Sequence, residues 1–398
     1  MQKISDRIYY IGVNDEEKGL FEGLWPLHFG VSYNSYLVVD EKVALIDTVE
    51  RGFEEVYLDN INDAVGDRLI DYLVVNHMEP DHSSLIAFMM ERYPKMRVVA
   101  NTKAVPMLKG YYGISEDRII IVAEGDSLNL GRTHLLFYMI PMVHWPETMV
   151  TWMPEANTIF SGDAFGSFGS VGEDVIDTGD TLEQYRDEMI RYYSNIVGKY
   201  GVPVQSALQK IKNLPIKRIC STHGPVWEKE FPDVVSLYDR LSRYEAERGV
   251  CIVYGSMYGN TSAAADALAL ELELRRVSCV MHELPGVTGI SGALRDLFKY
   301  DTLVVGSPTY NNGIFPPVEA FMQAAKSRLV KGRRFYAFGS YTWSPASVKQ
   351  LNQIAESMGY KILGDGCAFP QAYSPDKFNV AAIADLICNE DVSIRFAQ

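Results

Sequence analysis

Between Asn76 and His82 the chain reads Asn-His-Met-Glu-Pro-Asp-His, directly after the apolar run Leu73-Val74-Val75, so four potential metal ligands fall within six positions. A β-rich run ending in such a cluster delivers its ligands at the rim of a sheet, where irregular backbone can wrap a cation. Histidine is scarce, seven in 398 residues, yet two lie in this one loop. Two more stand in short turn-like contexts, His144 in Met-Val-His-Trp-Pro and His223 in Ser-Thr-His-Gly-Pro. Asp163, in Phe-Ser-Gly-Asp-Ala, follows another apolar run. A lone histidine is more often a packed or surface side chain than a ligand, but a loop of this density is not. Together His77, Glu79, Asp81, His82, His144, Asp163 and His223 exceed what one tetrahedral zinc takes and suit two metals sharing a carboxylate. Carboxylate and imidazole without thiolate fit iron, manganese or zinc.

The second half carries a different signal. The β-rich run Val250 to Gly255 is followed by the turn Ser256-Met257-Tyr258-Gly259-Asn260-Thr261 and by an Ala/Leu-rich helix former, Ser262 to Leu272. Strand, tight turn and helix N-terminus form a phosphate cradle from backbone N–H groups, hydroxyls and the positive end of the helix dipole. Neither the Walker lysine nor Gly-x-Gly-x-x-Gly is present, which argues against a nucleoside triphosphate or a dinucleotide. With no basic residue, the turn suits a monophosphate held by neutral donors. A strand-to-helix cap without ligand would read the same way, but two later stretches repeat the arrangement. Ser307-Pro308-Thr309-Tyr310-Asn311-Asn312-Gly313 follows Leu303 to Gly306, and Ser340-Tyr341-Thr342-Trp343 follows Phe335 to Gly339. In a doubly wound parallel sheet such loops meet at the carboxyl rim. Tyr310 and Trp343 would flank a flat ring there, as flavin mononucleotide (FMN) requires.

Residues 249–398 resemble flavodoxin, with Ser256-x-x-Gly259-Asn260-Thr261 matching its phosphate loop. Residues 1–248 resemble a metallo-β-lactamase-like αββα sandwich, whose hydrolases carry His-x-His-x-Asp-His where this chain has His77-x-Glu79-x-Asp81-His82. Exchanging an imidazole for a carboxylate hardens the site and favours ferric iron, tilting the reading from zinc hydrolysis to redox iron. The order of the two domains is similar to that of the flavodiiron proteins over essentially the whole chain. The runs Tyr33-Asn34-Ser35-Tyr36-Leu37, Leu45-Ile46-Asp47-Thr48 and Gly306 to Asn312 add to the likeness. The resemblance implies that His77, Glu79 and His144 bind one iron and that Asp81, His82 and His223 bind the other, with Asp163 bridging. In some members the histidine matching His82 turns away from its iron. Thr342 and Pro345 stand where many members carry glycine. Phe21 falls near a position where some place a histidine over the pocket, leaving His28 as the polar candidate there.

What the resemblance implies for function is reduction of dioxygen to water, of nitric oxide to nitrous oxide, or of both. It also implies a head-to-tail homodimer or dimer of dimers in which the flavin of one chain serves the irons of another. No Cys-x-x-Cys pair precedes Gln398, so no built-in rubredoxin is expected and electrons come from a separate rubredoxin or a reduced deazaflavin. Two other readings compete: a dizinc hydrolase with a regulatory flavodoxin-like domain, and an electron carrier with a vestigial first domain.

Composition is consistent with either domain reading. A net charge of −14 disfavours nucleic acid and anionic membranes. Five scattered cysteines, Cys220, Cys251, Cys279, Cys367 and Cys388, read as reduced thiols of a cytoplasmic protein. The N-terminus lacks an apolar signal region, and the longest apolar stretch, Leu135 to Val143, contains Pro141 and is too short to span a bilayer. Strands are expected at Ile8 to Gly12, Ser35 to Val39, Val43 to Ile46, Tyr72 to Val75, Arg97 to Ala100, Ile119 to Val122 and Leu135 to Ile140. A helix is expected at Glu54 to Ile61, another from a Ser83-Ser84 cap to about Arg92, and two more at Thr181 to Tyr200 and Val234 to Ala246. The Tyr and Met residues of the third read as packing. Glu247-Arg248-Gly249 is the expected junction.

Overall fold

Short β-rich runs spread over the first 221 residues build two stacked sheets. In a computed structural model, which describes residues 1–286 and 289–389, a seven-stranded sheet takes Gln2–Lys3, Ile8–Tyr10, Tyr36–Val39, Val43–Ile46, Tyr72–Val74, Arg97–Asn101 and Ile119–Val122 in that order. Its first pairings are antiparallel and those from Val43–Ile46 onward are parallel. A five-stranded sheet takes Ser127–Asn129, His134–Met139, Met149–Met153, Thr158–Gly162 and Arg218–Ser221. Alternate residues of both meet in one core: Tyr36, Val38, Ala44, Ile46 and Val74 from the first sheet, Leu135, Phe137, Met149 and Phe160 from the second. That alternation is the period-2 signature of a strand with one face inward. Glu54–Val65 covers an outer face by burying Tyr57, Ile61 and Val65, spaced four apart as a helix stripe requires.

Three helical expectations are corrected. Ser83 and Ser84 do not cap a continuous helix. A short turn, Pro80–Ser83, precedes a helix over Ile86–Arg92, and the Ser83 hydroxyl donates to the Met78 and Glu79 carbonyls at 2.9 Å. The ligand loop's carbonyls thus take the hydroxyl that a cap would need. The segment from Thr181 to Tyr200 is not one α-helix: Thr181–Tyr192 gives way to a π-helix, Tyr193–Val197, and a 3₁₀ turn, Gly198–Tyr200. Ser194 Oγ and Asn195 Nδ2 both donate to the Arg191 carbonyl, at 3.0 and 2.6 Å, and this competition for the backbone acceptor accompanies the widened turn. The helix before the junction is Phe231–Ser242, with Pro232 in its first turn and Tyr244 at positive φ past its end.

One compact unit spans Met1–Arg243 and the other begins at Tyr244. Residues 247–249 open the strand Glu247–Gly255 of the second unit. Its sheet runs Cys279–Leu284, Glu247–Gly255, Tyr300–Gly306, Arg334–Tyr341, Lys361–Ile362, with Cys367–Pro370 also paired to Arg334–Tyr341, and every pairing is parallel. The second strand lies beside the first and the third on its other side, the flavodoxin-like doubly wound order. Among the described residues no helix is long and apolar enough to cross a membrane.

Candidate functional site

The ligand-bearing loops leave the carboxyl ends of strands in both sheets of the first unit. Tyr72–Val74 leads to His77, Glu79, Asp81 and His82; Thr158–Gly162 leads to Asp163; Arg218–Ser221 leads to His223; and His144 follows His134–Met139. They converge into two groups, His77 with Glu79, His144 and Asp163, and Asp81 with His82 and His223, the donor atoms of each group lying within 4.8 Å of one another. Asp163 faces both. Its Oδ2 is 3.0 Å from His144 Nε2 and 3.5 Å from His77 Nε2, while its Oδ1 is 3.1 Å from His82 Nε2 and 3.9 Å from His223 Nε2. Glu79 Oε2 lies 3.1 Å from His144 Nε2 and 3.3 Å from His77 Nε2; Asp81 Oδ2 is 3.3 Å from both His82 Nε2 and His223 Nε2. His82 therefore turns its Nε2 into the cluster. Both carboxylate oxygens of Asp81 and Nδ1 of His82 are buried with no hydrogen-bond partner. Burying a carboxylate that way is costly unless a cation meets it, and the all-imidazole and carboxylate donor set suits iron.

Residues behind the ligands set their orientation. His77 Nδ1 lies 3.0 Å from Glu147 Oε1, which also accepts the Met78 N–H at 2.9 Å, and this turns Nε2 toward the cluster. His223 Nδ1 donates to the Ser32 carbonyl at 2.7 Å with the same effect. Thr222 Oγ1 donates to Asp163 Oδ1 at 2.5 Å. Asp47, fully enclosed, accepts the Asn76 N–H and side-chain amide at 2.7 and 3.0 Å and so anchors the start of the ligand loop. Burial alone would depress the imidazolium pKa values, but the carboxylates win. Asp81 and Asp163 push His82 up to about 9, and Asp163 and Glu79 push His144 up to about 9. Burial raises Asp163 and Glu79 less than the facing histidines lower them, so both carboxyls stay well below the usual range.

Aromatic rings wall the second group. His223 is ringed by Phe21 at 5.3 Å, Tyr192 at 5.4 Å and Tyr33 at 5.8 Å between centroids. Phe21 thus stands over the cluster, whereas His28 is exposed and makes none of these contacts. Tyr192 corrects the expectation that this helix only packs: its hydroxyl is buried without a hydrogen-bond partner and lies close enough to Asp163, Glu79 and Asp81 to feel their charge. Glu22, at positive φ beside Phe21, is exposed as a residue, yet its carboxyl accepts the Trp25 indole N–H at 3.0 Å. Burial and the neighbouring Glu79 charge push that carboxyl up to about 7. Glu147, Asp47, Tyr192 and Glu22 were not assigned to the site from sequence. Only Asp47 carried a usable signal, an acid closing an apolar run, the pattern that had flagged Asp163.

In the second unit the three anticipated loops leave adjacent parallel strands at one rim. Gly259 takes φ +82° just before the helix Asn260–Leu274, a conformation that favours glycine, and Ser256 Oγ accepts the Gly259 and Ser262 N–H groups at 3.1 and 3.3 Å. No acidic or basic side chain lies in the helix's first turn, so an anion there meets neutral donors and the dipole. Thr261 Oγ1 lies 3.0 Å from Ser340 Oγ, tying the first loop to the third, and Asn260 Oδ1 accepts the Tyr373 N–H at 3.4 Å. Ser307 Oγ donates to the Pro308 carbonyl and accepts the Phe315 N–H; Thr309 Oγ1 donates to Ser347 Oγ at 3.3 Å. Tyr310 pairs with Gly313 across a tight turn in which Asn311 and Asn312 both adopt positive φ. A Cβ at Gly339 would sit 1.9 Å from the Ser307 carbonyl, so the second and third loops can approach only at glycine. Tyr341 closes the third strand opposite Pro370, and Thr342 beyond it is exposed. Tyr258 at 88 %, Trp343 at 78 %, Tyr310 at 42 % and Met257 at 39 % exposure leave an unusually open apolar rim, of the kind a flat ring covers. The rim therefore fits FMN.

Comparison with known proteins places both halves. The family described as ODP family beta lactamase matches residues 31–224, and flavodoxin matches residues 252–379. The nitric oxide reductase of Moorella thermoacetica is 31% identical over 368 residues, 91% of this chain and 91% of that one. The anaerobic nitric oxide reductase flavorubredoxin of Vibrio vulnificus is 30% identical over 370 residues, 90% of this chain and 73% of that one. Among solved structures, rubredoxin oxygen:oxidoreductase from Desulfovibrio gigas superposes with a TM-score of 0.92 at 26% identity, covering 97% of each chain. The flavodiiron protein from Giardia intestinalis gives a TM-score of 0.91 at 28% identity, covering 97% of this chain and 95% of that one.

Proposed function

The chain belongs to the flavodiiron protein family, and on that footing we propose that it reduces dioxygen to water, nitric oxide to nitrous oxide, or both, with electrons from an external carrier, a rubredoxin or a reduced deazaflavin. It is an oxidoreductase whose cofactors are FMN and a diiron centre. The observation that carries the reading is the division of one carboxylate between two buried groups, Asp163 Oδ2 toward His77 and His144 and Oδ1 toward His82 and His223. His77, Glu79 and His144 would hold one iron, Asp81, His82 and His223 the other, and Asp163 would bridge. When bound, a diiron centre supplies paired electrons to one small oxidant, and FMN supplies their replacement.

The protein's own groups do the rest. Glu147 and the Ser32 carbonyl fix which nitrogen His77 and His223 present. Phe21, Tyr33 and Tyr192 exclude bulk water above His223, and the Tyr192 hydroxyl, buried without a partner, holds a proton facing the cluster. Ser256, Asn260, Thr261 and the first helical turn would hold the FMN phosphate, with Tyr310 and Trp343 beside the ring. The names of the relatives speak for both gases: one is a nitric oxide reductase and another a rubredoxin oxygen:oxidoreductase.

The test is anaerobic stopped-flow of the reduced protein against dioxygen and, separately, nitric oxide, with metal analysis of the same sample. Two irons per chain and fast oxidation by at least one gas are expected; two zincs and no gas consumption would leave the hydrolase. The working unit is a cytoplasmic homodimer or dimer of dimers, head to tail. Mixing His144→Ala chains with chains bulked at Asn260 and Thr261 should restore turnover in mixed dimers, and verified mixed dimers without activity would place electron transfer inside one chain.

A further inference from the structure

Against the segments that carry His144 and Asp163 lies a cavity of about 20 Å³ whose accessible surface is apolar, with Tyr238 among its lining residues. Val143 and the pair Ala164 and Phe165 form its inner end, and all three are buried. Val143 precedes the ligand His144 and Ala164 follows Asp163, so this end backs directly onto two metal-ligating residues. The outer end is the helix Gly201–Ile211, which presents Val204, Ala207 and Leu208 to the cavity, the i, i+3, i+4 spacing of one helix face. Val204 is buried, but Ala207 and Leu208 are only half-buried, so the lining joins partly exposed helix residues to the segments that carry His144 and Asp163.

A void of this kind stays dry. Water needs about two to four polar partners to occupy a buried site, and apolar cavities instead take up apolar guests such as xenon. At about 20 Å³ there is room for roughly one small molecule and nothing larger. Dioxygen and nitric oxide are small, weakly polar diatomics that dissolve better in apolar surroundings than in water, whereas protons and hydrated ions are excluded. We infer that this cavity is the entry and holding site for the gaseous substrate, reached past Ala207 and Leu208 and opening behind His144 and Asp163. The inference rests on the reading of the protein as a gas reductase and adds the route by which the gas arrives.

Xenon-pressurised crystals of the holoprotein test the site without turnover. Xenon is expected between Val143, Ala164 and Ala207 in the native protein and absent from Ala207→Leu, whose added carbons fill the void. The same variant, with iron and FMN content unchanged, should lose about tenfold in the second-order rate constant for gas oxidation of the reduced protein while its turnover at saturating gas holds. Leu208→Phe closes the same mouth should Ala207→Leu fail to fold. Xenon excluded from the native cavity, or a native rate constant with the cavity demonstrably filled, overturns the inference while gas reduction itself stands. Xenon bound but neither gas consumed by the native protein would instead refute the reductase reading, and this route with it.

Discussion

Glu147 offers the cleanest separation of charge from shape in the metal-ligating cluster. Both of its contacts use one oxygen: Oε1 meets His77 Nδ1 at 3.0 Å and the Met78 N–H at 2.9 Å, while Oε2 is buried without a partner. Glutamine therefore keeps the accepting oxygen in place and puts its amide where no hydrogen bond existed, removing little except the negative charge. Hydrogen bonds to a charged group are worth roughly 1 kcal/mol more than neutral ones, so two of them lose about 2 kcal/mol. That converts to about 30-fold weaker iron binding, inside the roughly 10–100-fold range for partners that orient a metal-binding histidine. Anaerobic titration of Glu147→Gln with ferrous iron against a competing chelator reads this directly, with circular dichroism confirming the fold and the flavin spectrum serving as an internal control. Iron affinity within about twofold of native would mean that His77 is oriented by packing alone, and the reasoning from Glu147 would be wrong.

Replacing Glu79 with Ala removes a carboxylate from between His77 and His144; one iron should be lost or loosened and gas turnover should fall by about a hundredfold or more, with flavin absorbance normal. Survival of activity would dismiss the ligand assignment. Trp343→Ala, stripping an indole that is 78 % exposed, should leave both irons and weaken FMN retention by about tenfold or shift its potential; unchanged values remove Trp343 from the site. Asp296, buried in the second unit, meets His282 Nε2 and Arg295 Nη2 at 2.7 Å, and although burial raises its pKa these partners hold it below the 3.8 of a free aspartate. Its contribution to stability is thus present above pH 3.8 and lost as the pH falls toward the lower folded-state value. Asp296→Asn should cost about 2 kcal/mol in denaturant unfolding near neutral pH and progressively less on acidification below that point, and a pH-independent difference would contradict the charge argument.

The ligand loop was legible because it concentrates metal-binding side chains after an apolar strand, and the flavin loops because one local pattern recurs at the ends of three strands. Pairing those ligands into two groups was not legible from spacing; it came from the family resemblance, since His82 and His223, whose Nε2 atoms lie 2.9 Å apart, are brought together only by two sheets packing. Glu147 stayed hidden for the same reason: its partner His77 is 70 residues away, and an acid in Trp145-Pro146-Glu147-Thr148 looks like any turn carboxylate. The π-helix at Tyr193–Val197 escaped because helical periodicity does not register two side chains competing for the Arg191 carbonyl. Tyr192, at the start of that irregular turn, was accordingly read as packing.

The origin of the seven proposed ligands has a consequence for how the protein assembles. Those from His77 to His82 hang from one sheet, and His144, Asp163 and His223 hang from the other. Neither sheet alone can offer more than part of either proposed iron site, so iron held there would bind the docked sandwich and not its halves, and would act as a clamp across the layer interface. By mass action, iron then stabilises the first unit in proportion to its own concentration, while the flavin loops, all within the second unit, answer to a different ligand. Iron starvation should therefore loosen one half of the chain and leave the other folded and yellow, a partly assembled protein that still absorbs light like the finished one.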